Sequence, residues 1–175
     1  MKNIIIAKRY AKAAIQSLSP EKYHEVLEQL VYMKEIFKNH KALKILTSTV
    51  IKVDHKIELV NEVTENIKNK EYWEQMFKVL ILKKRCHVLE QFFIEFEDLL
   101  YKSLNQKKIN LIFAHQQDEE TINGVKKEIE KILCHSVVCD VSIDKSIIGG
   151  FIAKSREKVI DASVKSNLKR FIKEV

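Results

Sequence analysis

Glycine and proline are scarce: the 175-residue chain holds 3 Gly and 1 Pro. An all-β sandwich needs a turn about every 8–12 residues, so this supply excludes it, together with collagen-like and Gly-rich phosphate-loop architectures. Apolar runs of about 18 residues, enough to span a bilayer as a helix, are missing as well. The short stretch Ile4-Ile5-Ile6 is cut at Lys8-Arg9, and no Arg- and Ser-rich presequence precedes it, so the expectation is a cytosolic protein that keeps its N-terminus. Cysteine is sparse and odd in number. Cys86, Cys134 and Cys139 have neither metal nor redox spacing, which argues for a reducing compartment and against a disulfide framework.

Charge of one sign is in short supply too. Lys and Arg number 31 against 24 Asp and Glu, and the net +7 divides into +4 over residues 1–105 and +3 over 106–175, so neither part is a basic tail. Only Arg9, Arg85, Arg156 and Arg170 are guanidinium bases, whereas base-edge and phosphate recognition favours the bidentate Arg fork. From Glu119 to Lys131 lysines alternate with glutamates, as on a solvated helix face. Specific nucleic-acid binding is therefore not expected, and a basic helical nucleic-acid-binding module is kept only as the alternative reading. A mild attraction to acidic partners or an anionic membrane surface is compatible with the charge.

What the chain does have is helical periodicity, with 46% hydrophobic residues in recurring segments. Ala7, Ala11, Ala14 and Leu18 fall on one face of a first helix, beside Ile6, Tyr10 and Ala13. Ser19-Pro20-Glu21 predicts a helix start with Ser19 as N-cap, followed by Tyr23, Val26, Leu27, Leu30, Met33 and Phe37 on one face. Ala42, Leu43 and Leu46 mark a short third helix, and Ile57, Val60, Val63 and Ile67 a fourth. A fifth, from Glu71 to about Lys84, is apolar nearly all round through Tyr72, Trp73, Met76, Phe77, Val79, Leu80, Ile81 and Leu82, which predicts burial on most sides. The sixth carries Leu89, Phe92, Phe93, Phe96, Leu99, Leu100 and Leu104.

Near Ser103–Lys108 the period changes. Ile109, Leu111 and Phe113 alternate like a strand, Ile122, Val125, Ile129 and Ile132 return to helix, and Val137, Cys139, Val141 and Ile143 alternate again. After Gly149-Gly150, Phe151–Lys154 and Lys158–Ile160 predict a hairpin, and Asp161 is the expected N-cap of a last amphipathic helix through Val164, Leu168, Phe171 and Ile172. The expected architecture is mostly α, an N-terminal six-helix bundle over residues 1–105 followed by a small α/β domain over 106–175.

No nucleophile elbow, phosphate loop, dinucleotide fingerprint or His-Glu-x-x-His helix occurs, so no catalytic, cofactor-binding or metal-binding residue is assigned. Cys134-His135 with Cys139, and Cys86-His87, lack the repeated pairs of a structural zinc site, and His24, His40, His55 and His115 fall on polar faces or loops. Glu95, Glu97 and Asp98 read as a solvated outer face. Binding or scaffolding remains.

The stretch Val141-Ser-Ile-Asp144-Lys-Ser-Ile147-Ile148-Gly149-Gly150-Phe-Ile-Ala-Lys, continued by Lys158-Val-Ile160-Asp161-Ala-Ser163-Val164-Lys-Ser-Asn-Leu168, closely resembles the signature of the F-type ATP synthase δ subunit family, whose mitochondrial counterpart is the oligomycin-sensitivity-conferring protein. Ala7-Lys8-Arg9-Tyr10-Ala11-Lys12-Ala13 is similar to the family's opening, and Leu80–Phe96 to its fifth-to-sixth helix stretch, all in order. Arg156 and Ala162 stand where the family commonly has glycine, and Lys165 where it has arginine, which puts the hairpin turn and one ion contact in question. The resemblance implies a non-catalytic peripheral-stalk connector, without cofactor, at the cytoplasmic face of the bacterial inner membrane. Its N-terminal domain would meet N-terminal helices of the alpha subunits, and its C-terminal domain the end of the b-subunit stalk. Ala7, Tyr10, Ala11, Ala14, Met76 and Leu80 become partner-binding candidates, with Gly149, Gly150, Asp161 and Ser163 as structural motif residues. Ala7, Ala11 and Ala14 could equally pack inside the bundle.

Overall fold

The computed structural model describes residues 2–38 and 40–173, without the side chains of Lys2, His40, Arg170, Phe171 and Lys173; the polar-face position of His40 and the apolar position of Phe171 therefore lie outside the described residues. The chain divides into two compact units, Met1–Leu100 and Tyr101–Val175.

In the first unit, α1 (Lys2–Gln16) leads through a 3₁₀ turn, Pro20–Lys22, into α2 (Tyr23–Lys38). Pro20 opens that turn as expected, but the Ser19 side chain makes no capping bond; the Ser19 carbonyl accepts from the Lys22 N–H at 3.0 Å instead. Proline's fixed φ suits the tighter turn, whose i to i+3 bond replaces the cap. Then follow α3 (His40–Thr47), α4 (Val53–Thr64), α5 (Lys70–Leu82), a second 3₁₀ turn (Cys86–Val88) and α6 (Leu89–Ser103). The open end of α3 is closed by Lys56 of α4, whose Nζ donates to the carbonyls of Leu46 and Ser48.

The core of this unit is aromatic. Phe37 of α2 lies 5.1 Å from Phe77 of α5 between ring centroids, Trp73 meets Phe96 of α6 edge-on at 6.2 Å, and Phe92 stacks on Phe96 at 5.4 Å. Each such pair contributes roughly 0.5–1.5 kcal/mol beyond the area it buries. Trp73 can be buried because its indole N–H donates to Gln29 Oε1 at 2.8 Å, while Asn69, just before α5, donates to Glu25 at 3.1 Å. That bond holds the Glu25 carboxyl below its usual pKa. On α6 the sequence expectation of a solvated face needs correction: Glu95 is buried and accepts from Gln91 at 2.9 Å, and Glu97 pairs with Lys34 of α2.

The second unit holds β1 (Gln106–Phe113), α7 (Glu119–Leu133), β2 (Ser136–Ile143), β3 (Phe151–Lys154), β4 (Val159–Asp161) and α8 (Val164–Lys173). The sheet order is β2-β1-β3-β4, with β1 and β2 parallel across α7 and the other pairs antiparallel. Ile109, Leu111 and Phe113 point alternately into a small core with Ile129, Val137 and Ala153. Asp118 caps α7, its carboxylate accepting from the Thr121 N–H at 2.9 Å. Arg156 does not disturb the hairpin: the β3–β4 turn closes through Ser155 N–H to the Lys158 carbonyl at 2.8 Å, and Arg156 does not have a positive φ.

Candidate docking surfaces

Two contacts lay α5 alongside α1. The Tyr72 hydroxyl donates to the Ala14 carbonyl at 2.9 Å, and Arg85, just past α5, reaches the Tyr10 hydroxyl at 3.3 Å with its guanidinium 5.7 Å from the ring centroid. Burial pushes the Tyr72 phenol well above its usual pKa, so the hydroxyl stays a donor. The order of these contacts runs α1 and α5 in opposite directions.

The small-residue stripe of α1 faces inward. Ala7, Ala11 and Ala14 belong to the aromatic core, as does Leu80, so as candidate partner contacts these four present no open surface. Filling Ala11 with a large side chain would overpack the core rather than block a groove. Tyr10 and Met76 are half-buried at the edge of that core, where a partner could reach them. The prediction that α5 is buried on most sides also needs correction. It buries Trp73, Phe77, Leu80 and Ile81, but Val79 is 46% and Leu82 57% exposed. Helical phase puts Tyr72, Met76 and Val79 on the flank of α5 that meets α1, and Tyr10 and exposed Ala13 on the facing flank of α1. These side chains line a shallow apolar seam.

The second surface is built by main-chain geometry. Gly150 has φ +77°, and a Cβ there would stand 2.4 Å from the Ala162 carbonyl oxygen; at Gly149 the nearest atom would be Val164 Cγ2 at 3.2 Å. The residues between β4 and α8 thus lie directly on the glycine pair, tied by Val164 N–H to the Gly149 carbonyl at 3.0 Å and Ala162 N–H to Phe151 at 3.0 Å. Asp161 ends β4 and is not the helix cap. Ser163 occupies that position and accepts from the Ser166 N–H at 3.2 Å, while Asp161 accepts from the Ser163 N–H at 2.9 Å and from the Ser166 hydroxyl. The helix so anchored leaves Val164, Leu168 and Ile172 exposed at 41%, 54% and 76%, an apolar row at four-residue spacing. Nothing in the sequence marked that row as uncovered, since an amphipathic pattern looks the same whether or not a neighbour covers it.

Cys86 is buried, Cys139 half-buried and Cys134 exposed at the left-handed end of α7, and none forms a disulfide. Burial raises the pKa of both Cys86 and Cys139, which keeps them protonated. Among the described residues no group of three or more His, Cys, Asp or Glu is placed to hold a metal ion, and no helix is long and apolar enough to cross a membrane.

Residues 6–175 match the family model described as ATP synthase delta (OSCP) subunit. Among similar proteins, the ATP synthase subunit delta of Wigglesworthia glossinidia brevipalpis is 30% identical, covering 95% of this chain and 93% of its own. That of Caldanaerobacter subterraneus subsp. tengcongensis is 32% identical, covering 97% and 95%. The fold is similar to a chain in the cryo-EM structure of the Toxoplasma gondii mitochondrial ATP synthase hexamer, with a TM-score of 0.73, 16% identity and 96% of both chains covered.

Proposed function

The chain belongs to the ATP synthase delta (OSCP) subunit family, and from that premise we propose how its two units divide the work of a peripheral-stalk subunit. The family match over residues 6–175 carries the stator role itself. A stator resists rotor torque, so that proton flow turns the rotor against a stationary head. The first unit, read as a six-helix bundle, grips the catalytic head, and the second engages the stalk. The chain contributes no active site of its own and is held at the cytoplasmic face of the membrane through the complex.

On the head side, the seam between α1 and α5 receives an N-terminal helix of an alpha subunit. Its support is exposed Val79 beside half-buried Tyr10 and Met76, an apolar surface a helix could cover in helix-in-groove docking. On the stalk side, the Val164, Leu168 and Ile172 row takes the C-terminal end of the b subunit. Titration calorimetry of the full chain with a peptide of the alpha-subunit N-terminus tests the first assignment, with binding expected and absence of binding overturning it. Ala13→Trp obstructs the seam from an exposed position and should weaken that binding, with the fold checked by circular dichroism. Leu168→Glu should weaken capture of the b-subunit end while sparing the alpha-subunit peptide.

A further inference from the structure

We propose that the seam between α1 and α5 selects an amphipathic helix bearing carboxylates beside its apolar stripe; this rests on the docking site assigned above and adds the chemistry of its occupant. Arg9 stands four residues before Ala13 on α1, and Lys83, just past α5, four residues after Val79 with its N–H on the Val79 carbonyl, so each extends an apolar row with a cation. Because Tyr72 touches Ala14 and Arg85 touches Tyr10, the antiparallel helices bring Arg9, Lys83 and Arg85 to the same end of the seam. All three are exposed.

Neither segment supplies a compensating acid: Lys2–Gln16 and Met76–Leu89 contain no Asp or Glu. Along α7, by contrast, lysines alternate with glutamates. The cation of Arg85 is already stacked on Tyr10, which pre-orders it at the seam and lowers the entropy cost of meeting a carboxylate. Charges at the rim of an apolar contact chiefly set orientation, association rate and partner choice, and they are screened by salt.

The probes are three synthetic amphipathic helices sharing one apolar stripe, flanked by Glu, Gln or Lys, titrated into the full chain. At low salt the Glu helix should bind roughly tenfold more tightly than the Lys helix, with the Gln helix between, and the gap should close as salt rises past the screening range. The double variant Arg9→Glu with Lys83→Glu should reverse that order, and both positions are exposed, so the fold should survive; the peptide comparison on the unaltered chain does not depend on it. Equal binding of all three helices, or a preference insensitive to salt, overturns the charge selection and leaves the docking site standing. Failure of all three together with the alpha-subunit peptide overturns the docking site as well.

Discussion

The first unit draws its specificity from side chains and the second from backbone. In the helical unit Trp73, Phe37, Phe77, Phe92 and Phe96 fill one continuous core, and half-buried Gln29 places the largest of them by accepting from the Trp73 indole N–H. The α/β unit has a far smaller core around Ile109, Leu111 and Phe113. It holds its shape through a left-handed glycine, a serine cap and an aspartate that braces the cap. A large core tolerates many apolar residues of about the right volume, whereas a close backbone contact tolerates only one. This explains why the most recognisable stretch of the sequence lies in the smaller unit.

Six substitutions sharpen or break that contrast. The largest effect is expected from Trp73→Ala, which leaves a cavity at the aromatic junction and should cost about 3–5 kcal/mol in denaturant unfolding. If it costs no more than a surface substitution, the helical unit does not depend on its aromatic core. Next, Gly150→Ala combines a positive φ with a 2.4 Å clash against backbone, so a loss of about 2 kcal/mol or more is expected for the second unit. Gly149→Ala meets only the end of Val164 at 3.2 Å and should cost clearly less; equal effects would break the backbone account.

A smaller loss, about 1 kcal/mol, is expected from Ser163→Ala, which removes the cap of α8, and Asp161→Asn should be milder because an amide oxygen can still accept the Ser163 N–H. Amide exchange at the start of α8 would distinguish them. The smallest effect concerns pH. The bond from Thr121 lowers the pKa of Asp118 in the folded state, so its stabilising contribution is present above the unfolded value near 4 and is lost as pH falls through the folded one. Asp118→Asn should flatten that part of the acid-unfolding profile, and an unchanged profile would show the cap to be electrostatically idle.

Much of the fold was legible in periodicity. The runs from Val26 to Phe37 and from Ile109 to Phe113 take the helix and strand their spacing predicts, and Pro20 opens a turn where its missing N–H costs nothing. The candidate docking residues were less legible. Ala7, Ala11 and Ala14 were correctly placed on one face of α1, but a face is a local property and its covering is not. The same limit applies to Glu95 and to Val79: identical helical spacing put the acid inside and the valine outside, because Gln91 can satisfy a buried carboxylate while α5 meets its neighbours on one side only.

Local sequence therefore determined which residues form each helix and strand, where the chain switches from one period to the other, and that two adjacent glycines answer a steric demand. These follow from interactions within a few residues. Only the tertiary structure decided what presses on Gly150, that Ser163 rather than Asp161 caps the last helix, and which apolar rows stay uncovered. Those outcomes depend on contacts between segments far apart in the chain, whose geometry no local pattern contains.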